Sequence, residues 1–195
     1  MAAHTPRFYF GAMSPYSWFS AERIEQLLPQ ASWHGIYLGG MFKSNGRTSW
    51  GLTDERDAGI ADCDARAETY GLAPIQWPDP WPTSDLHVAR AMAYANTREL
   101  LKPFALSAMR LSFREGRNIG ELDSVLEAGR RVGIDPSELE AALHDPAVKD
   151  ALREETDAAL AQGVFGVPTV IVDGELYWGD DRLQDAADAY KSISS

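Results

Sequence analysis

The stretch Gly163-Val164-Phe165-Gly166-Val167-Pro168-Thr169-Val170-Ile171-Val172, followed by Asp173-Gly174 and Glu175-Leu176-Tyr177-Trp178, decides how this chain folds. Its β-branched, apolar residues predict a buried strand. Asp173-Gly174 is a hairpin signal, because the tight two-residue turn needs positive φ at both positions. Glu175 to Trp178 is then the returning strand. Gly179-Asp180-Asp181 leads into a last helix, from Arg182 to about Ile193. This end of the chain reads β-β-α.

The other end reads β-α-β. Arg7-Phe8-Tyr9-Phe10 is a short apolar run that stops at Gly11 and predicts a strand. Ser14 is a good N-cap and Pro15 suits the first helical position, so a helix should run from Pro15 to Leu28 and end before Pro29. Trp33 to Leu38 reads as a second strand closed by Gly39-Gly40, parallel to the first with a right-handed crossover.

Everything between is helical in pattern. Residues 41–55 are polar and read as a loop. Helices are expected over Asp54 to Tyr70, Leu86 to Arg114 and Glu121 to Arg131, stopped by Gly71, Gly116 and Gly133. Asp135-Pro136-Ser137-Glu138 and Asp145-Pro146 open two more, the last closed by Gly163. Pro74, Pro78, Pro80 and Pro82 interrupt the series, with Trp77 and Trp81 among them as either a pocket lid or plain loop packing. Neither β end can bury a core alone. The fold class is therefore α/β, with one sheet built from residues 1–45 and 160–195 and residues 46–159 inserted as a helical subdomain.

Composition sets outer limits. The 195 residues are 45% hydrophobic and 24% charged, a globular balance. A net charge of -11 repels phosphate backbones and anionic membrane surfaces, which argues against nucleic-acid and membrane partners. No apolar run approaches the roughly 20 residues that span a bilayer. Met1 to Arg7 is polar and lacks the apolar core of a secretion signal, so a cytoplasmic protein is expected. The one cysteine, Cys63, excludes an intrachain disulfide and reads as a small helix-face residue. His4, His34, His87 and His144 have no ligand spacing, so no metal site is expected. Gly39-Gly40 and Gly46 are not followed by the Gly-Lys-Ser/Thr of a phosphate loop.

A β-α-β half followed by a β-β-α half is the thioredoxin architecture. Disulfide oxidoreductases of that architecture place Cys-x-x-Cys where this chain has Ser14-Pro15-Tyr16-Ser17, since a helix N-terminus lowers a thiol pKa. Both cysteine positions are serine, which argues against disulfide exchange. Pro168 stands where this fold carries a cis proline, and that geometry leaves the Val167 backbone free to pair with an extended peptide-like ligand.

Phe8-Tyr9-Phe10 with Ser14-Pro15-Tyr16-Ser17, Gly163 to Thr169, and Asp173 to Leu183 together resemble the 2-hydroxychromene-2-carboxylate isomerase family, which groups with kappa-class glutathione transferases in the DsbA-like branch of the thioredoxin fold. The resemblance covers essentially the whole chain. It implies a thiol-dependent isomerase whose cofactor is glutathione or another low-molecular-weight thiol, and a homodimer. Ser14 matches the catalytic serine that hydrogen-bonds the cofactor sulfur. Val167, ahead of Pro168, matches the residue whose backbone holds the cysteinyl part. Asp180 and Asp181 match the pair that grips the γ-glutamyl end, although either alone would also serve as a helix-capping acid. Ser17 reads as a first-turn residue. A kappa-type transferase and a non-catalytic binding module of the same fold remain as alternatives. The chain departs from the family at Phe42 to Trp50, which lacks the family's prolines, and at Ser84-Asp85, where the family has Asn-Thr. Those loops should line the substrate side of the pocket.

Overall fold

Four short strands carry the two chain ends into one sheet: β1 (Arg7–Phe10), β2 (Ser32–Gly35), β3 (Thr169–Val172) and β4 (Glu175–Trp178). The computed structural model describes residues 5–194, so Met1 to Ala3 and His4 of the N-terminal reading lie outside the described residues. The order is β2-β1-β3-β4, with β1 and β2 parallel and the other two pairings antiparallel. At the β3–β4 turn Asp173 has φ 48° and Gly174 φ 90°, the positive pair that the Asp-Gly sequence predicts.

Side chains alternate across β1. Phe8 and Phe10 stack on one face, 5.2 Å between ring centroids, and join the main core. Tyr9 points to the other face, against Ile36, Met41, Val164 and Ile171. Both faces are covered, so β1 is apolar throughout. Helix α1 (Pro15–Leu27) buries Trp18 and Phe19 against the sheet and against Phe113 of α5 (Leu101–Glu115). Truncating a fully buried aromatic such as Trp18 costs about 3–5 kcal/mol.

The remaining helices are α2 (Leu38–Ser44), α3 (Arg56–Thr69), α4 (Leu86–Thr97), α6 (Leu122–Arg130), α7 (Pro136–Ala142), α8 (Pro146–Ala161) and α9 (Leu183–Ser194). Asp135 and Asp145 cap α7 and α8 as expected, each accepting from first-turn backbone N–H groups. The Glu138 side chain does not complete a capping box; it pairs instead with Tyr94 and Arg98.

Three expectations need correction. The second strand stops at Gly35, and Leu38–Ser44, with both glycines, is helix α2. Its first N–H groups find their acceptor in Asp85, far along the chain. Gly40 fits because a Cβ there would lie 2.6 Å from the Tyr37 ring. The Leu86 to Arg114 helix is two helices, broken where Glu99 takes φ 60°. Pro103 then falls in the first turn of α5, where its missing N–H breaks no helical hydrogen bond. The last helix begins with a 3-10 turn at Asp180–Arg182 before α9.

Candidate active site

Ser14 is extended, with φ -92° and ψ 122°, and caps α1. Its Oγ accepts the Ser17 N–H at 3.2 Å, and the Trp18 N–H bonds to its carbonyl at 3.1 Å. A hydroxyl that accepts from its own helix still has its proton to give away. Ser14 is nearly buried but lines a cavity of about 900 Å³, so that proton has a place to go. Ser17 plays no such part: it is fully buried and its Oγ accepts from the Gly11 N–H.

Val167 lines the same cavity, and the Val167–Pro168 bond is cis. The loop is pinned on both sides, by the Thr169 hydroxyl donating to the Gly166 carbonyl and by the Gly179 N–H donating to the Pro168 carbonyl. The Val167 N–H and C=O have no hydrogen-bond partner among the described residues. Gly166 is required here, since a Cβ would sit 2.6 Å from the Trp178 indole nitrogen. Pro168 itself is buried behind Val167 and does not line the cavity.

The opposite wall is aromatic. Trp50 and Trp81 meet with ring centroids 5.1 Å apart, and Trp77 supports Trp81 from behind at 4.8 Å. The Trp81 Nε1–H donates to the Met13 carbonyl, which ties this wall to the residue before Ser14. Trp81 is therefore cavity wall and Trp77 is packing. The 42–50 segment crosses to the Val167 side: the Asn45 amide and the Arg47 guanidinium both donate to the Phe165 carbonyl, at 3.2 and 3.3 Å. Lys43 and Arg47 give this rim positive charge.

Asp180 and Asp181 are not among the cavity's lining residues. Asp180 is 2% exposed, bonded to the Arg66 guanidinium at 3.0 and 3.3 Å and to the Tyr70 hydroxyl at 2.7 Å. A carboxylate held by a cation and a phenol anchors α3 to the start of α9. Asp181 is exposed on the outer side of the turn. Thus the structure brings Ser14 and Val167 to one cavity and leaves the aspartate pair outside it.

Sequence reasoning missed Asp85 as a site residue. It is 6% exposed, lines the cavity, and accepts from the Leu38 N–H at 2.9 Å and the Gly39 N–H at 3.2 Å. Burial pushes its carboxyl up to about 6, against the opposing pull of those two N–H groups. The Ser84-Asp85 departure marked the place but not this geometry. Cys63 is buried, and burial pushes its thiol up to about 12, which disfavours the thiolate. Among the described residues no three His, Cys, Asp or Glu side chains are grouped to hold a metal, and no helix is long and apolar enough to cross a membrane.

Residues 7–191 match the family described as DSBA-like thioredoxin domain. The chain is 25% identical over 190 residues to the 2-hydroxychromene-2-carboxylate isomerase of Sphingobium xenophagum, spanning 90% of this chain and 92% of that one. It is 24% identical over 200 residues to glutathione S-transferase kappa 1 of Homo sapiens, spanning 92% and 88%. A solved 2-hydroxychromene-2-carboxylate isomerase superposes with a TM-score of 0.82 at 23% identity, over 96% of this chain and 95% of that one, a likeness of fold.

Proposed function

Because the chain belongs to the DSBA-like thioredoxin family, we propose that it is a thiol-dependent isomerase of a conjugated aromatic acid of the 2-hydroxychromene-2-carboxylate type, with glutathione or a similar small thiol as cofactor. The observation that carries this reading is Ser14, whose Oγ is engaged as an acceptor inside its helix while its proton remains available on the cavity side.

The residues present fit such a thiol. The Val167 N–H and C=O are unpaired at the cavity wall, as an extended peptide needs. Lys43 and Arg47 suit carboxylates. The bound thiol would supply a nucleophile that adds reversibly to a conjugated carbon, so that a double bond becomes single and can rotate. The chain's own part is to hold and orient. Ser14 donates to a negative sulfur where α1 presents its positive end. The Trp50 and Trp81 rings, inclined 52° to each other, offer an apolar corner for an aromatic ring and exclude water from it. Asp180 has no direct role in this reading; it fixes α3 against α1 and α9 from behind the site.

Replacing Ser14 by Ala should lower turnover of 2-hydroxychromene-2-carboxylate with glutathione by about 100-fold, the scale of losing one charge-stabilising donor. Unchanged turnover in that variant would overturn the mechanism. A kappa-type transferase shares this thiol site, and the human relative matches the chain over a similar span. Product analysis separates the two, because isomerisation consumes no thiol.

A further inference from the structure

We propose that Asp85 is a second catalytic group in this cavity, handing a proton to a carbonyl oxygen of the substrate as negative charge builds there and taking it back as the charge leaves. The proposal rests on the isomerase reading above and assigns that site its acid–base group. Three observations carry it. Asp85 is buried yet lines the cavity beside Tyr37, Leu38 and Ser84. It forms no ion pair among the described residues; its partners are backbone N–H groups. Those partners load its oxygens unequally. Oδ2 accepts from Leu38 at 2.9 Å and from Gly39 at 3.4 Å, while Oδ1 accepts only from Gly39, at 3.2 Å. A protonated carboxyl can keep the Leu38 bond through Oδ2 and turn an Oδ1–H toward the cavity.

The surroundings favour a group that changes state. Burial raises the Asp85 carboxyl into the range where it is partly protonated near neutrality, as a general acid needs. Tyr37, at the start of α2, is itself raised by burial and then by the Asp85 charge, with Arg90 of α4 acting the opposite way. Arg90 spends an Nη1–H on the Leu143 carbonyl, and His87 lies two residues along α4. Lys43, Arg47 and Glu55 line other parts of the cavity, and none of them bonds to Asp85. Among the described residues no cation pins Asp85 in its charged form.

The step balances. As a nucleophile adds to the conjugated chain, one π pair shifts along it and the carbonyl π pair moves onto oxygen. The Asp85 O–H bond breaks and an enol O–H bond forms. On return the enol proton goes back to Asp85, the carbonyl re-forms and the nucleophile leaves with its own electron pair. Asp85 ends as it began, and no electron or atom is gained.

A merely structural Asp85 would act as an acceptor for the first turn of α2, and Asn or Ser would replace it. The test is therefore calorimetric binding of chromone-2-carboxylate, a stable conjugated keto acid, to the wild type, Asp85→Asn and Asp85→Ser between pH 5 and 8. Wild-type affinity should fall at least fivefold as pH rises through about 6, and the variants should bind with no such slope. Histidine also changes charge in this range, so His87→Gln is measured alongside and should keep the wild-type slope. With 2-hydroxychromene-2-carboxylate and glutathione, Asp85→Asn should lose about 10- to 100-fold in kcat/KM together with the limb near pH 6. A wild type that shows the binding slope but no turnover overturns the isomerase reading and leaves the proton donor standing. A flat wild-type profile, no binding at any pH, or Asp85→Asn with full kcat/KM and an unchanged slope overturns the role of Asp85.

Discussion

Asp85 and Asp180 are both acids in a largely apolar interior, at 6% and 2% exposure, yet they sit in opposite environments. Asp180 meets a guanidinium and a phenol, so its charge is matched and it serves as a clamp between α3 and the last turn before α9. Among the described residues Asp85 bonds to peptide N–H groups and meets no cation, so burial wins and the carboxyl is raised to about 6. Depth alone does not make a buried acid functional. What separates the two is whether a full positive charge was folded in beside it and whether the group faces a space a ligand can enter.

The contrast breaks most sharply at Arg66. Replacing it by Met strands the Asp180 charge in the interior with Tyr70 as its remaining partner, and unfolding in urea should show a loss of about 3 kcal/mol. An Arg66→Met protein as stable as the wild type at pH 8 would show that the pair contributes nothing and that Asp180 is no clamp. The mirror experiment is Asp85→Asn, with the opposite sign. A folded carboxyl near 6, against about 4 in the unfolded chain, binds its proton more tightly when folded. Its contribution is present below about pH 4 and is lost as pH rises through 6, by about 3 kcal/mol at the limit. Asp85→Asn should therefore gain on the wild type as pH goes from 4 to 8. A stability difference that does not change over that range would mean that Asp85 is charged and content in the fold.

The same contrast explains what could be read from the sequence. The α1 start was legible because Ser14 and Pro15 are local signals, and the β3–β4 hairpin because Asp173-Gly174 dictates its own turn. That Ser14 and Val167 would meet at one cavity was legible because Ser14 heads α1 and Val167 directly precedes the proline that leads into β3. Helix α2 was not: glycines read as breakers, and the acceptor for its first N–H groups lies 46 and 47 residues away. The Asp180 ion pair was out of reach for the same reason, since Arg66 lies 114 residues earlier and nothing near position 180 announces it. Trp77 and Trp81 could not be told apart until the fold set one in front of the other. Long-range polar contacts decided both placements, of α2 and of Asp180, and a sequence window has no sight of them.

Ser14 supplies the smallest effect on stability and the finest discrimination, because it has two jobs. As the cap of α1 it contributes about 1 kcal/mol, and Ser14→Ala should lower stability by about that amount along with activity. Ser14→Asp separates the jobs. Aspartate caps as well as serine and accepts the Ser17 N–H in the same way, so thermal unfolding should return to the wild-type midpoint. Its carboxylate has no proton to give and would repel a negative sulfur across the cavity, so thiol-dependent turnover should stay as low as in Ser14→Ala. If Ser14→Asp recovers both stability and turnover, Ser14 is a cap and nothing more. Recovery of stability alone would place at the head of α1 a hydroxyl valued for its proton, facing a cavity where Asp85 is valued for the same reason.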